Sequence, residues 1–345
     1  METELEAALA PAQEAAEAAR DAAADTLDVR VRQVRYEGRG INSYELVSPG
    51  AAPLPPFEAG AHIDVHLKQG VIRQYSLSNA PGERHRYVIA VLKDENGRGG
   101  SRAVHEQLRA GDIVTISRPR NHFALARDAA RVVLIAGGIG VTPIKAMAHE
   151  LDARGIAYDM HYCARNAEGA AFGPELDAMR RAGKLHDHYD EGLDHLRFDV
   201  KQLLKRHMPG THVYYCGPAG FMAACAEAAA HWPAGTVHFE HFKAPERPKA
   251  EAGGGDSAAG ECEVTIASTG QVVMLKAGES LVDALGAVGI VVPTSCCAGL
   301  CATCKLRYLE GEVQHNDTIL DEDERRDHLT ACVSLPAGKR LVLDL

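Results

Sequence analysis

The sequence predicts a multidomain chain of mixed α/β and β class: an antiparallel β-barrel, a parallel α/β domain, and a small C-terminal β domain built around cysteines. Short alternating strands separated by turn residues fill the chain before residue 129. From there to residue 243, apolar runs alternate with helical segments, which argues for a parallel sheet with crossover helices. A proline- and glycine-rich stretch then sets off a compact tail that holds four closely placed cysteines. With 345 residues and 46% hydrophobic content, the chain is long enough for two or three domains with buried cores.

Residues 1–26 are alanine- and glutamate-rich, helix-prone without an apolar stripe, and carry a net charge of −6. They read as an extension with no assigned function. The segment lacks the apolar core with basic flank of a secretory signal, and no run of about 18 apolar residues occurs anywhere. Both observations predict a cytoplasmic chain with no membrane segment. In a reducing compartment a cysteine cluster binds metal or does chemistry more often than it forms disulfides. The formal charge of −10 is concentrated at the ends, with −6 on residues 261–345 and about +2 on the middle, so nucleic-acid binding is disfavoured.

Residues 27–128 contain "LDVRVRQVRYEG", "HIDVHLKQG", "RQYSLSN", "YVIAVLKDE" and "DIVTISRP", the alternating strands of an antiparallel barrel. In "RQYSLSN", alternation puts Arg73 and Tyr75 on one face. A guanidinium there suits a phosphate and a phenol ring suits stacking on a flat cofactor, with Ser76 placed to hydrogen-bond the ring system. Downstream, "GRGGS" supplies Gly99, Gly100 and Ser101 at the start of a helical segment, where free N–H groups and the helix dipole make a phosphate cradle.

Residues 129–243 contain the apolar runs "RVVLIAGGIG", "AYDMHYCAR" and "THVYYCGP" and the helical segments "PIKAMAHELDARG" and "AGFMAACAEAAAHW". The first run ends in Gly137, Gly138 and Gly140, and a helix then opens at Thr142 and Pro143, a strand–turn–helix of the kind that binds pyrophosphate. The third run ends in Cys216, Gly217 and Pro218, at the carboxyl edge of the sheet where ligands of such folds sit. After the second run, "YCARNAEGAAF" offers a 2′-phosphate only Arg165, with Glu168 close behind, which favours NADH over NADPH.

Residues 244–260 have no apolar periodicity and read as a flexible linker. In the tail, Cys296 is followed by four residues and Cys301, two residues and Cys304, and a distant Cys332. This Cx4CxxC…C spacing is that of a plant-type 2Fe-2S cluster. Cys297 is out of register, a zinc site would want a second paired knuckle, and a redox CxxC would open a helix rather than the strand-like "CKLRYLEGEV". Gly299 fits a loop folded tightly around a cluster. The flanking "CEVTIAS", "QVVMLKAG", "ESLVDALGAVGI" and "RLVLDL" read as strand, strand, helix and final strand.

Together, RxYS, GGS, GGIGVTPI, CGP and the C-terminal cysteine pattern, in that order, resemble the phthalate dioxygenase reductase and vanillate demethylase reductase family of the ferredoxin–NADP reductase superfamily. The resemblance covers roughly residues 27–345. It implies an FMN-binding barrel, an NAD-binding α/β domain and a β-grasp 2Fe-2S ferredoxin domain. By the same resemblance, Arg73, Tyr75, Ser76 and Ser101 hold FMN, in preference to FAD, Thr142 lies near flavin and nicotinamide, and Cys216 lies near the hydride path. Glu240 and Phe242 in "VHFEHF" match an acidic-x-aromatic ending whose ring covers the flavin. The implied activity passes electrons from NADH through FMN and the cluster to a Rieske-type oxygenase. A ferredoxin-type carrier, or a redox sensor with a non-catalytic reductase-like region, is the competing function.

Overall fold

The computed structural model describes residues 26–242 and 262–345, apart from positions 96, 98, 277, 278, 295–297, 300 and 301. The extension up to residue 25, the linker 244–260, and Cys296, Cys297 and Cys301 therefore lie outside the described residues. The chain falls into two compact units: Glu240 ends the first, and His241 opens the bulk of the second, which also takes Pro218–Gly220. Among the described residues, no helix is long and apolar enough to cross a membrane.

The first unit opens with an antiparallel sheet of β1 (Thr26–Gly38), β2 (Ile41–Val47), β3 (His62–His66), β4 (Ile72–Ser76), β5 (Tyr87–Leu92) and β6 (Ile113–Ser117), in the order β4-β3-β6-β1-β2-β5. Closure comes just past β4, where the Ser78 amide donates to the Val88 carbonyl at 2.8 Å. Alternation along these strands turns Val29, Val31, Tyr44, Leu46, Ile63, Val65, Ile89 and Ile116 into one interior cluster. One short helix, α1 (Gly100–Gln107), follows β5. β2 was not singled out by the sequence, because INSYELV sets Asn42 and Ser43 side by side and so does not alternate.

A parallel sheet follows, made of β7 (Arg131–Gly137), β8 (Ala157–Ala164), β9 (Leu185–Tyr189), β10 (Thr211–Cys216) and β11 (Val237–Glu240), in the order β11-β10-β7-β8-β9. The helices are α2 (Val141–Arg154), α3 (Gly173–Arg181), α4 (Val200–Leu204) and α5 (Ala219–Ala229). Strand order reverses between β7 and β10, and such a switch point opens a crevice at the carboxyl ends of the two strands. Separate apolar clusters cover the sheet's two faces, as expected of parallel strands buried on both sides. Barrel residues Ile41, Ala59, Ala90 and Phe123 belong to one of these clusters, so barrel and parallel sheet share a packed core.

The second unit contains β12 (Cys262–Ile266), β13 (Val272–Leu275), α6 (Leu281–Ala287), β14 (Lys305–Glu310), β15 (Val313–Gln314), β16 (His328–Thr330), β17 (Leu335–Pro336) and β18 (Arg340–Leu343). Its main sheet runs β13-β12-β18-β14-β16, with β12 and β18 parallel and α6 packed beneath, the β-grasp arrangement. Ser280 caps α6 by accepting from the Asp283 amide at 3.1 Å.

Candidate functional site

On the barrel, β4 presents Arg73 and Tyr75 on one face, and the Arg73 side chain lies over the first turn of α1. A β-carbon on Gly100 would fall 2.0 Å from Arg73 Nε, so glycine is needed for the guanidinium to reach there. Gly99 caps the helix in the left-handed region at φ 83°, and no acidic residue occupies the first turn. Ser101 Oγ accepts from the Asp94 amide at 3.0 Å, which leaves its proton free to donate outward. A guanidinium beside the positive pole of a helix whose cap residue has no side chain fits a phosphate monoester. Tyr75 is half-buried against the barrel core, and burial raises its phenol pKa, keeping it neutral.

The glycine-rich turn after β7 is held by close packing on the end of β10. A β-carbon on Gly140 would lie 2.2 Å from the Cys216 carbonyl oxygen, and one on Gly217 would lie 3.1 Å from Gly137 Cα. Gly138 takes the left-handed region at φ 53°. Thr142 is buried at the start of α2 and donates to the Ile139 carbonyl at 3.0 Å; Pro143 is buried beside it. Phe221, which the sequence did not flag, lies against both Gly137 and Gly217, where added β-carbons would stand 2.9 and 2.6 Å from its ring. Arg165 is exposed at the end of β8. Glu168, three residues further on, accepts from Arg39 Nη2 at 2.6 Å in an exposed pair.

Barrel and parallel sheet meet at Ser76, Cys216 and Glu240. Parallel registry sets Cys216 beside Glu240, and Ser76 Oγ donates to Glu240 Oε2 at 3.3 Å. Burial pushes the Glu240 carboxyl up to about 8, with the Ser76 hydrogen bond partly opposing, and drives the Cys216 thiol upward as well. His62, another residue the sequence did not flag, lies with Nδ1 3.9 Å from Glu240 Oε1. Neither ring nitrogen of His62 has a hydrogen-bond partner; burial first, then Arg120 and His122, lowers its pKa to about 3. Burial thus favours the uncharged form of all three groups, the acid, the thiol and the imidazole. Phe242, two residues past β11, is 38% exposed.

In the second unit, β14 and β16 pair antiparallel with Lys305 opposite Thr330, which carries the flanking Cys304 and Cys332 to the same end of the ladder. The Ala331 amide donates to the Cys304 carbonyl at 3.0 Å, and Cys304 is almost fully buried. Gly299 has φ 71°, and a β-carbon there would meet Asp317 Cα at 2.9 Å; Ala302 is also left-handed at φ 54°. Such a tight loop next to two neighbouring thiols fits a four-thiolate cluster. The other two expected ligands, Cys296 and Cys301, lie outside the described residues.

An antiparallel barrel with a phosphate cradle, a parallel sheet with a dinucleotide crevice and a β-grasp unit with paired cysteines define a modular electron-transfer oxidoreductase. The family described as oxidoreductase NAD-binding domain matches residues 134–227, and the 2Fe-2S iron-sulfur cluster binding domain matches residues 264–337. The chain is 48% identical over 323 residues to the tert-butanol monooxygenase / tert-amyl alcohol desaturase reductase subunit of Aquincola tertiaricarbonis, covering 92% of this chain and 96% of that one. It is 43% identical over 323 residues to the vanillate O-demethylase oxidoreductase of Pseudomonas sp., covering 92% and 100%. The solved structure of phthalate dioxygenase reductase, described as modular for electron transfer from pyridine nucleotides to [2Fe-2S], superposes with TM-score 0.72 at 38% identity, over 93% of this chain and 98% of that one. The chain belongs to this family of oxygenase reductase components and is an oxidoreductase.

Proposed function

We propose that this chain is the NADH-dependent reductase of a multicomponent oxygenase, holding FMN on the barrel and delivering electrons from its 2Fe-2S unit to a Rieske-type partner in the cytoplasm. The observation that carries the reading is the buried junction of Ser76, Cys216 and Glu240. It places the end of the cofactor strand against the carboxyl edge of the dinucleotide sheet, where a nicotinamide and a flat ring can face each other.

Flavin, when bound, accepts two electrons together and releases them one at a time. The residues of the chain bind, orient and exclude water. Arg73 with the first turn of α1 would take the flavin phosphate, Tyr75 would stack on its ring, and Ser76, whose hydroxyl donates to Glu240, would offer its oxygen as an acceptor at the ring edge. Gly137, Gly138 and Gly140 let the pyrophosphate approach backbone N–H groups, and Thr142, Cys216, Gly217 and Pro218 border the nicotinamide end. Burial favours protonated Glu240, which would remove a negative charge that repels electron-rich reduced rings. Cys296, Cys301, Cys304 and Cys332 hold the cluster. NADH is preferred because "YCARNAEGAAF" offers a 2′-phosphate only Arg165, with Glu168 close behind.

The net charge of −6 on the cluster unit suits a basic dock on the partner, which steers encounter and weakens with salt. The test is anaerobic reduction of the purified protein by NADH and by NADPH, followed by stopped-flow transfer to the partner oxygenase at rising ionic strength. Expected are bleaching of a heat-releasable FMN, a larger kcat/KM for NADH, and transfer that slows between about 0.02 and 0.5 M salt as screening shortens to a few Å. A protein that NADH does not reduce is a carrier or sensor and overturns the reading.

A further inference from the structure

With flavin read on the barrel and nicotinamide on the parallel sheet, we propose that Lys145 is a positioning residue for hydride transfer, tying the helix of Thr142 to the strand of Ser76. Lys145 lies one turn beyond Thr142 on α2, about 4.5 Å along the axis, on a stretch where Val141, Ile144, Ala146, Met147 and Ala148 are all buried. It is itself only 2% exposed. Its ammonium reaches across to the barrel and donates to the carbonyl of Ser78, two residues past Ser76, at 3.2 Å. The same nitrogen pairs with Glu175 and stands 4.3 Å over the Phe172 ring. Glu175 in turn pairs with Arg35 of β1, whose Nε donates to Glu37 at 2.7 Å. The chain of contacts thus starts on the barrel, crosses two helices of the nucleotide-binding half, and returns to the barrel.

Stability alone gives little reason for this arrangement. Burial disfavours the ammonium and lowers its pKa, although Glu175 and Glu37 pull the other way. Burial would likewise raise the Glu175 carboxyl, but Lys145 and Arg35 hold it below the usual range. A buried pair of this kind is often no more stable than packed hydrophobic residues, whereas its directional hydrogen bonds fix register. What they fix here is the distance between two subsites: Ser78 is also the residue that closes the barrel onto β5, so it cannot drift with the helix. Other ties would survive the loss of Lys145, including the Ala59 amide to Glu150 Oε2 at 2.9 Å and the Arg39 amide to the Glu168 carbonyl at 2.8 Å. The two halves would stay joined, by these and by Ser76 with Glu240, but would lose the bond that ties the helix of Thr142 to the end of the Ser76 strand.

The test compares wild type, Lys145→Met and Glu175→Gln as flavin-loaded full-length proteins. A displacement of about 1 Å between reacting groups costs up to about 10²-fold in rate. Lys145→Met is expected to keep its flavin and an NADH KM within about threefold, while flavin reduction at saturating NADH slows by about tenfold or more. The long-wavelength charge-transfer absorbance of reduced flavin with NAD⁺ should fade in parallel. Glu175→Gln keeps the Lys145 to Ser78 bond and is expected to stay within about threefold of wild type. If Lys145→Met does not fold, Lys145→Met/Glu175→Gln removes both members of the buried pair and takes its place in the comparison. A Met variant, single or double, with wild-type reduction and charge-transfer band overturns the assignment, as does a Glu175→Gln variant equally slow. Wild type that NADH fails to reduce overturns the functional reading itself and this inference with it.

Discussion

Gly140→Ala isolates the packing of the dinucleotide turn from its conformation. Gly140 sits at φ −60° and ψ −7°, an ordinary right-handed helical setting that alanine adopts without strain. The added methyl is the whole perturbation: its carbon would lie 2.2 Å from the Cys216 carbonyl oxygen, 2.4 Å from the carbonyl carbon and 2.8 Å from the Gly217 nitrogen. All three are backbone atoms of a strand end and cannot rotate away. Ordinary contact begins at 3.4 Å, so the turn and the end of β10 must part by roughly 1 Å. Overpacking of this kind costs about 1–3 kcal/mol of stability. The same shift between hydride donor and acceptor costs up to about 10²-fold, or about 2.7 kcal/mol of barrier. Anaerobic stopped-flow bleaching of flavin at rising NADH measures it, with dithionite reduction as the control that the flavin and cluster remain intact. Gly82→Ala, which meets nothing within 4 Å, controls for substitution itself. A Gly140→Ala protein with wild-type kcat and KM for NADH would falsify the placement of the nicotinamide at this turn.

Arg73→Ala should lose flavin, because a charge-assisted phosphate contact is worth about 1.5–3 kcal/mol, or roughly ten- to a hundredfold in affinity; fluorescence titration of the apoprotein measures this. Glu240 binds its proton more tightly folded, at about 8, than unfolded, near 4.5, so its contribution is fully present below about 4.5 and is lost as pH rises to 8. Urea melts of Glu240→Gln should accordingly lose less stability than wild type between pH 5 and pH 8.5, and parallel curves would refute the neutral carboxyl. Cys297→Ser should retain iron and the visible cluster spectrum while Cys296→Ser loses both; the reverse result would move the ligand by one residue.

Much of this architecture was legible because its chemistry is written in residue type and spacing. Glycines mark the turns where backbones approach a ligand, and cysteine spacing marks a cluster whatever the fold around it. Most barrel strands announced themselves by alternation or an apolar run, whereas β2, with the sequence INSYELV, sets Asn42 beside Ser43, and β9, with the sequence LHDHY, has two histidines and an aspartate. Neither carries the periodic signal from which strands are read.

The positions that escaped are those whose meaning depends on a partner far along the chain. The charge state of Glu240, unlike its place in the acidic-x-aromatic motif, is one such case: burial in the folded junction raises its pKa, and the hydrogen bond from Ser76, 164 residues earlier, only partly opposes this. His62 stands in an ordinary alternating strand, and only burial in the fold, among Arg120, His122 and Glu240, leaves both its nitrogens without a hydrogen bond among the described residues. Lys145 looks in sequence like the one solvent-facing residue of an apolar helix start, the usual place for a lysine. It is buried because the barrel covers that face and offers the Ser78 carbonyl, while Glu175 on the neighbouring helix α3 supplies the opposite charge. A lone charge in an otherwise apolar helix is thus worth flagging when the sequence also predicts another domain packed against that helix, since a covered charge must find partners there.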